Sequence, residues 1–73
     1  MPMSQFGKKM KALREARGLG VRELARELGY ASHTHVNQTE LGKREPTLDM
    51  ARRVARYFSV SIDWLVAEDA EEG

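Results

Sequence analysis

Apolar residues recur along this chain at helical rather than alternating spacing, in five short blocks parted by glycine, proline or serine. Phe6, Met10 and Leu13 stand at i, i+4 and i+7 and predict a first helix that starts after Ser4, a capping hydroxyl, and runs to about Arg17. Gly18 is its left-handed stop. Leu24, Ala25 and Leu28 form the inner face of a second helix, Val21–Leu28, with Arg22, Glu23, Arg26 and Glu27 in water. Gly29 permits a sharp turn, Tyr30 and Ala31 fill it, and Ser32 is placed to cap a third helix.

The third helix, about residues 33–41, has a different character: it is polar on almost every side. At about 100° per residue, Val36, Thr39 and Glu40 fall on one side and face the body. His33, Asn37, Thr34 and Gln38 make one continuous polar arc on the other, with His35 on the flank. Gly42 ends this helix, and Pro46 prevents its continuation. Thr47 caps a fourth helix, Leu48–Phe58, with Asp49 where the helix dipole favours an anion and a buried stripe of Leu48, Ala51, Val54, Ala55 and Phe58. Ser61 caps a last short helix, about residues 62–67. No stretch alternates as a strand would. The expected fold class is all-α, five short helices around one core, with residues 1–67 as the domain and residues 68–73 as an acidic, fraying tail.

Charge adds a direction to this outline. The net +1 of the 73 residues conceals a split: residues 1–57 hold all twelve Lys and Arg against six acids, and residues 58–73 hold five acids and no base. A basic body points to a polyanion partner. The lysines of the first helix, Lys8, Lys9 and Lys11, read as a solvated face. With no cysteine, neither a disulfide nor a thiolate metal site can brace so small a domain. No apolar run reaches the roughly 18 residues of a membrane span, and the opening MPMSQFGKKM has no signal-peptide core, so a cytoplasmic protein without membrane contact is expected. Two histidines at 33 and 35 point about 200° apart on a helix and cannot share a metal. No glycine-rich phosphate loop and no nucleophile with a placed base is present, so neither catalysis nor a cofactor is expected.

The segments RELARELG, VNQTELGKREPTL and VSIDWLV, with LREARGL before them, resemble the lambda/434 repressor-like (Cro/C1, XRE-type) helix-turn-helix domains over roughly residues 10–66. The resemblance implies double-stranded DNA as partner, with the third helix as the recognition helix. His33, Thr34, Asn37 and Gln38 would contact bases; Ser32, His35, Lys43, Arg44, Thr47 and Arg22 would contact phosphates. Arg14 and Glu40 would form an internal ion pair. Ile62, Trp64 and Val66 would supply the seam of a homodimer. With no effector domain in view, no small-molecule effector is expected.

Three departures from the family pattern stand out. The turn Gly29-Tyr30-Ala31-Ser32 is one residue longer than usual, Gly20-Val21 replaces a polar pair that grips phosphate, and Thr39 stands where a large apolar residue is common. The loss at Gly20-Val21 favours a rival reading, a protein-interaction module of antitoxin or bridging type that keeps the fold without reading DNA. RNA binding would need an aromatic stacking platform, which the basic face lacks.

Overall fold

The periodic blocks fold as their spacing predicts. The computed structural model describes residues 4–67 and contains α1 (Ser4–Ala16), α2 (Val21–Leu28), α3 (Thr34–Glu40), α4 (Leu48–Phe58) and α5 (Ile62–Val66). The expected tail, residues 68–73, lies outside the described residues. α1 packs on α3 and α5, α2 on α3 and α4, and α4 on α5. Phe6 and Met10 of α1, Leu24 and Leu28 of α2, Val36 of α3, Val54 and Phe58 of α4 and Leu65 of α5 meet in one buried cluster.

Local chemistry sets the helix ends. Thr47 Oγ1 accepts the Met50 N–H at 3.0 Å and Ser61 Oγ accepts the Trp64 N–H at 2.9 Å, each satisfying a donor the helix leaves free. α2 begins on the other half of a capping box: Glu23 Oε1 accepts the Gly20 N–H at 2.8 Å. α1 takes in Ser4 as its first residue instead of starting after it, and α5 stops at Val66.

Two expectations about burial are corrected. Leu48 is 62% exposed, because nothing covers the first turn of α4 at that point; Met50, long and unbranched, reaches the core from the edge of the stripe instead. Lys9 is buried, not solvated. Its Nζ donates to the Trp64 carbonyl at 2.6 Å and the Ala67 carbonyl at 3.3 Å, and lies 4.9 Å from the centre of the Trp64 ring. A cation thus meets the carbonyl end of α5, where the helix dipole is negative, and ties that short helix to α1.

Candidate nucleic-acid interface

α3 is held by its inner side and presents its outer side to solvent. Val36 and Thr39 are buried, and Thr39 Oγ1 donates to the His35 carbonyl at 2.8 Å, so its hydroxyl is satisfied within the helix. Arg14 of α1 closes a two-pronged pair on Glu40, Nε to Oε2 at 2.8 Å and Nη2 to Oε1 at 3.0 Å, while its Nη1 donates to the Leu19 carbonyl at 2.8 Å. The hydrogen bond to Glu40 outweighs the cost of burial and raises the Arg14 pKa, which keeps the guanidinium charged.

Contact between α1 and α3 is closer than side chains would allow. A Cβ placed on Gly7 would sit 2.2 Å from the Thr39 carbonyl oxygen and 3.2 Å from the Glu40 Cα. The glycine at 7 lets the two backbones touch.

On the outer side, Thr34 and Asn37 are exposed and Gln38 is half-buried. His33 is half-buried as well and is the N-cap of α3, not its first residue; its side chain makes no capping bond. The capping acceptor comes from one residue earlier: Ser32 Oγ accepts the Thr34 N–H at 3.1 Å and donates to Thr34 Oγ1 at 3.0 Å. Ser32 thus orders the start of α3 from outside the cap position. Lys43 and Arg44 are exposed in the loop after α3, which is tied to the helix by Gly42 N–H to the Thr39 carbonyl and Lys43 N–H to the Gln38 carbonyl at 3.1 and 2.9 Å. Thr47 and Arg22 are exposed too. Ile62 and Val66 are half-buried against the core, and Trp64 is 44% exposed beneath Lys9.

His35, an expected phosphate contact, is half-buried in the structure. Its ring stands edge-on to Tyr30, with centroids 5.5 Å apart, and its Nε2 is buried without a hydrogen-bond partner. Burial, and then the nearby Arg44, lowers its pKa, so the ring is held neutral. The sign of the consequence is fixed. Protonation is easier in the unfolded chain, at about 6.5, so the stabilisation is complete above that pH and is lost as pH falls below it. Wild type should lose thermal stability between about pH 7.5 and 5.5, and His35→Gln should flatten that slope while His33 stays in both chains. Parallel curves for the two would remove this role.

Sequence reasoning passed over Arg53. From α4 its Nε bonds Asp49 Oδ2 at 2.8 Å, its Nη1 donates to the Leu28 carbonyl at 2.6 Å, and its guanidinium lies 5.1 Å from the Tyr30 ring centre. Gly29 turns at φ 91°, and a Cβ there would meet Arg53 Nη1 at 2.7 Å. The longer turn between α2 and α3 is therefore fastened to α4 at its glycine. Only the Asp49–Arg53 spacing of four was visible beforehand.

Among the described residues no helix is long and apolar enough to cross a membrane, and no cluster of three or more potential metal ligands occurs. Comparison with known proteins places this geometry. A sequence model described as Helix-turn-helix matches residues 10–65. The HTH-type transcriptional activator BcrR of Enterococcus faecalis is 33% identical over 63 residues, which are 86% of this chain and 30% of that protein; the chain thus spans under a third of that relative's length. The restriction-modification controller protein C.AhdI of Aeromonas hydrophila superposes with a TM-score of 0.75 at 27% identity, covering 86% of this chain and 94% of that one. The fold is shared with a hypothetical transcription factor, NHTF, from Neisseria, at a TM-score of 0.83 and 22% identity over 97% of this chain and 80% of that one.

Proposed function

Because this chain belongs to the Cro/C1-type (XRE) helix-turn-helix family of DNA-binding transcription regulators, we propose that it reads a two-fold-related operator as a homodimer with α3 in the major groove. The observation that carries this reading is the pairing of a clamped inner side with an open outer arc. Arg14 and Glu40 hold α3 while Thr34 and Asn37 stay exposed beside Gln38. Asn and Gln amides match the donor and acceptor edge of adenine, and the Thr methyl or hydroxyl can meet thymine. His33, at the cap, reaches the edge of the same arc. Lys43, Arg44 and Thr47 from the following loop, with Arg22 and Ser32, set the register on phosphates, which carry no sequence information. Thr47 Oγ1 is committed as an acceptor to Met50 and keeps its proton for a phosphate oxygen.

A single module of this size covers only about 600–1,000 Å² on DNA, which discriminates poorly. Two copies would set two α3 helices about 34 Å apart and read twice the sequence. Trp64, on the surface between half-buried Ile62 and Val66, is the residue best placed to start that contact. The cytoplasm is the compartment this function requires.

Selection from random duplexes provides the operator, and two substitutions then separate readout from grip. Asn37→Ala should weaken operator binding by about 1–3 kcal/mol and leave unrelated duplexes alone; Lys43→Ala should weaken both alike. Wild-type affinity should fall with salt at a log–log slope of about −5 for about six neutralised phosphates. A slope near zero, or a selection that enriches nothing, would leave the fold to a protein partner.

A further inference from the structure

The outer side of α3 carries polar residues up to its C-cap, where Leu41 stands 59% exposed. We propose that Leu41 is a further specificity-determining residue, whose side chain packs against the 5-methyl group of a pyrimidine in the major groove, about two base pairs from the base that Asn37 reads. Thymine and 5-methylcytosine carry that methyl at the same place and cytosine lacks it. The chain therefore accepts the two methylated bases alike there, and methylation of a cytosine at this position raises its affinity. The inference rests on the reading of α3 as the recognition helix and adds an apolar contact to its amides and hydroxyls.

A single exposed leucine is ordinary on a protein surface; the place of this one is what matters. At about 100° per residue Leu41 falls about 80° round from His33, between Asn37 at about 40° and Thr34 at about 100°. It continues the outer arc by one turn, about 6 Å beyond Asn37 along the axis, close to two base-pair steps of about 3.4 Å. Gln38 before it and Lys43 with Arg44 after it are residues that the same reading sets on bases and on phosphates, so Leu41 lies between two points of attachment to one duplex. Its backbone is fixed. The Leu41 N–H donates to the Asn37 carbonyl at 3.1 Å, and the Gly42 and Lys43 N–H groups close the helix end on the Thr39 and Gln38 carbonyls. An ending of this kind commonly adds an apolar contact between the positions held here by Gln38 and Lys43, in which Leu41 has no part. Nor does the core use it. Leu24, Leu28 and Leu65 are buried, and Leu13 and Leu19 pack against the core cluster; of the seven leucines only Leu41 and Leu48 stay outside it. An alkyl side chain can offer a base only dispersion and the exclusion of water, and the apolar group on the major-groove edge of a base pair is the pyrimidine 5-methyl.

The test uses the full chain on its selected operator, which should place a thymine about two base pairs from the position whose preference Asn37→Ala relaxes. Exchanging each thymine in turn for deoxyuridine removes the methyl and nothing else. At one position in each half-site wild type should lose about fourfold, the effect of moving one methyl-sized group out of an apolar contact, and Leu41→Ala should lose nothing further. That non-additivity is the signature of a shared interaction. Cytosine at the same position should weaken wild type, and 5-methylcytosine should recover about fourfold in wild type and nothing in Leu41→Ala. Leu48→Ala removes a comparably exposed leucine from outside the arc and should keep the whole wild-type profile. The proposal is overturned if no thymine methyl matters to wild type. It is overturned too if Leu41→Ala shows the wild-type deoxyuridine profile, whether its affinity is unchanged or falls alike on operator and unrelated duplexes; in the second case the leucine only braces the helix end. A lower dimer fraction for Leu41→Ala in sedimentation without DNA, with the profile unaltered, would assign the leucine to a contact between copies and overturn it as well. Each of these results leaves the reading of α3 standing so long as Asn37→Ala still loses the operator. If neither Asn37→Ala nor Lys43→Ala changes binding, that reading falls first and takes Leu41 with it.

Discussion

Glu40→Ala should destabilise the domain by about 3–5 kcal/mol and weaken DNA binding although Glu40 faces the protein interior. The side chains of Arg14 and Glu40 are only 11% and 4% exposed, so removing the carboxylate strands a buried guanidinium that keeps only its bond to the Leu19 carbonyl. An exposed pair such as Asp49–Arg53, at 64% and 40% exposure, is worth far less as an ion pair, about 0.3–0.5 kcal/mol at this helical spacing. For a domain of about 60–100 residues, a loss of this size lowers the melting temperature by about 12 °C or more. Because Glu40 is the last residue of α3, the freed helix should also lose affinity for specific and unrelated duplexes together. Replacing both partners with apolar residues, Arg14→Met with Glu40→Leu, should recover much of the stability, since no charge is then left buried. A Glu40→Ala protein with wild-type melting would contradict the stranded-charge mechanism.

Gly7→Ala should be nearly as damaging, by about 3 kcal/mol, at the upper end of what overpacking a core usually costs. The added methyl would meet the Thr39 carbonyl oxygen, carbonyl carbon and the Glu40 Cα, all backbone, none of which can swing aside as a side-chain end would. Relief requires α1 and α3 to separate, and that motion also pulls apart Arg14 and Glu40. Alanine ordinarily strengthens a helix interior relative to glycine by about 1 kcal/mol, so the two effects predict opposite signs. A urea titration decides between them. A midpoint shifted upward would mean that the helices can part without cost.

These expectations differ in how far they could be seen from the chain alone. The helices at Val21–Leu28 and Leu48–Phe58 were legible to the residue, and the caps at Thr47 and Ser61 were legible too. Periodicity, capping and turn chemistry involve residues within one turn of each other, so the sequence carries them directly. The split of α3 into a buried Val36–Thr39 side and an exposed Asn37 side follows from the same local geometry. Arg14 with Glu40 could be assigned only through resemblance to a family, since 26 residues of chain separate the two.

What could not be read is what depends on a neighbouring element. Leu48 belongs to the apolar stripe of its own helix, yet no other helix arrives to cover it. Lys9 looks like a solvated lysine until α5 ends beside it, 55 residues along the chain. His35 sits on the flank of α3 by angle, and only the fold shows that Tyr30 of the longer turn stands edge-on to its ring while its Nε2 is buried. Gly7 in a helix interior reads as a weakness, and the passing backbone of α3 makes it a requirement. The sequence specifies each helix and the side it buries, because those are interactions between near neighbours in the chain. Which partner meets that side, and how closely, is settled by the packing of five helices at once.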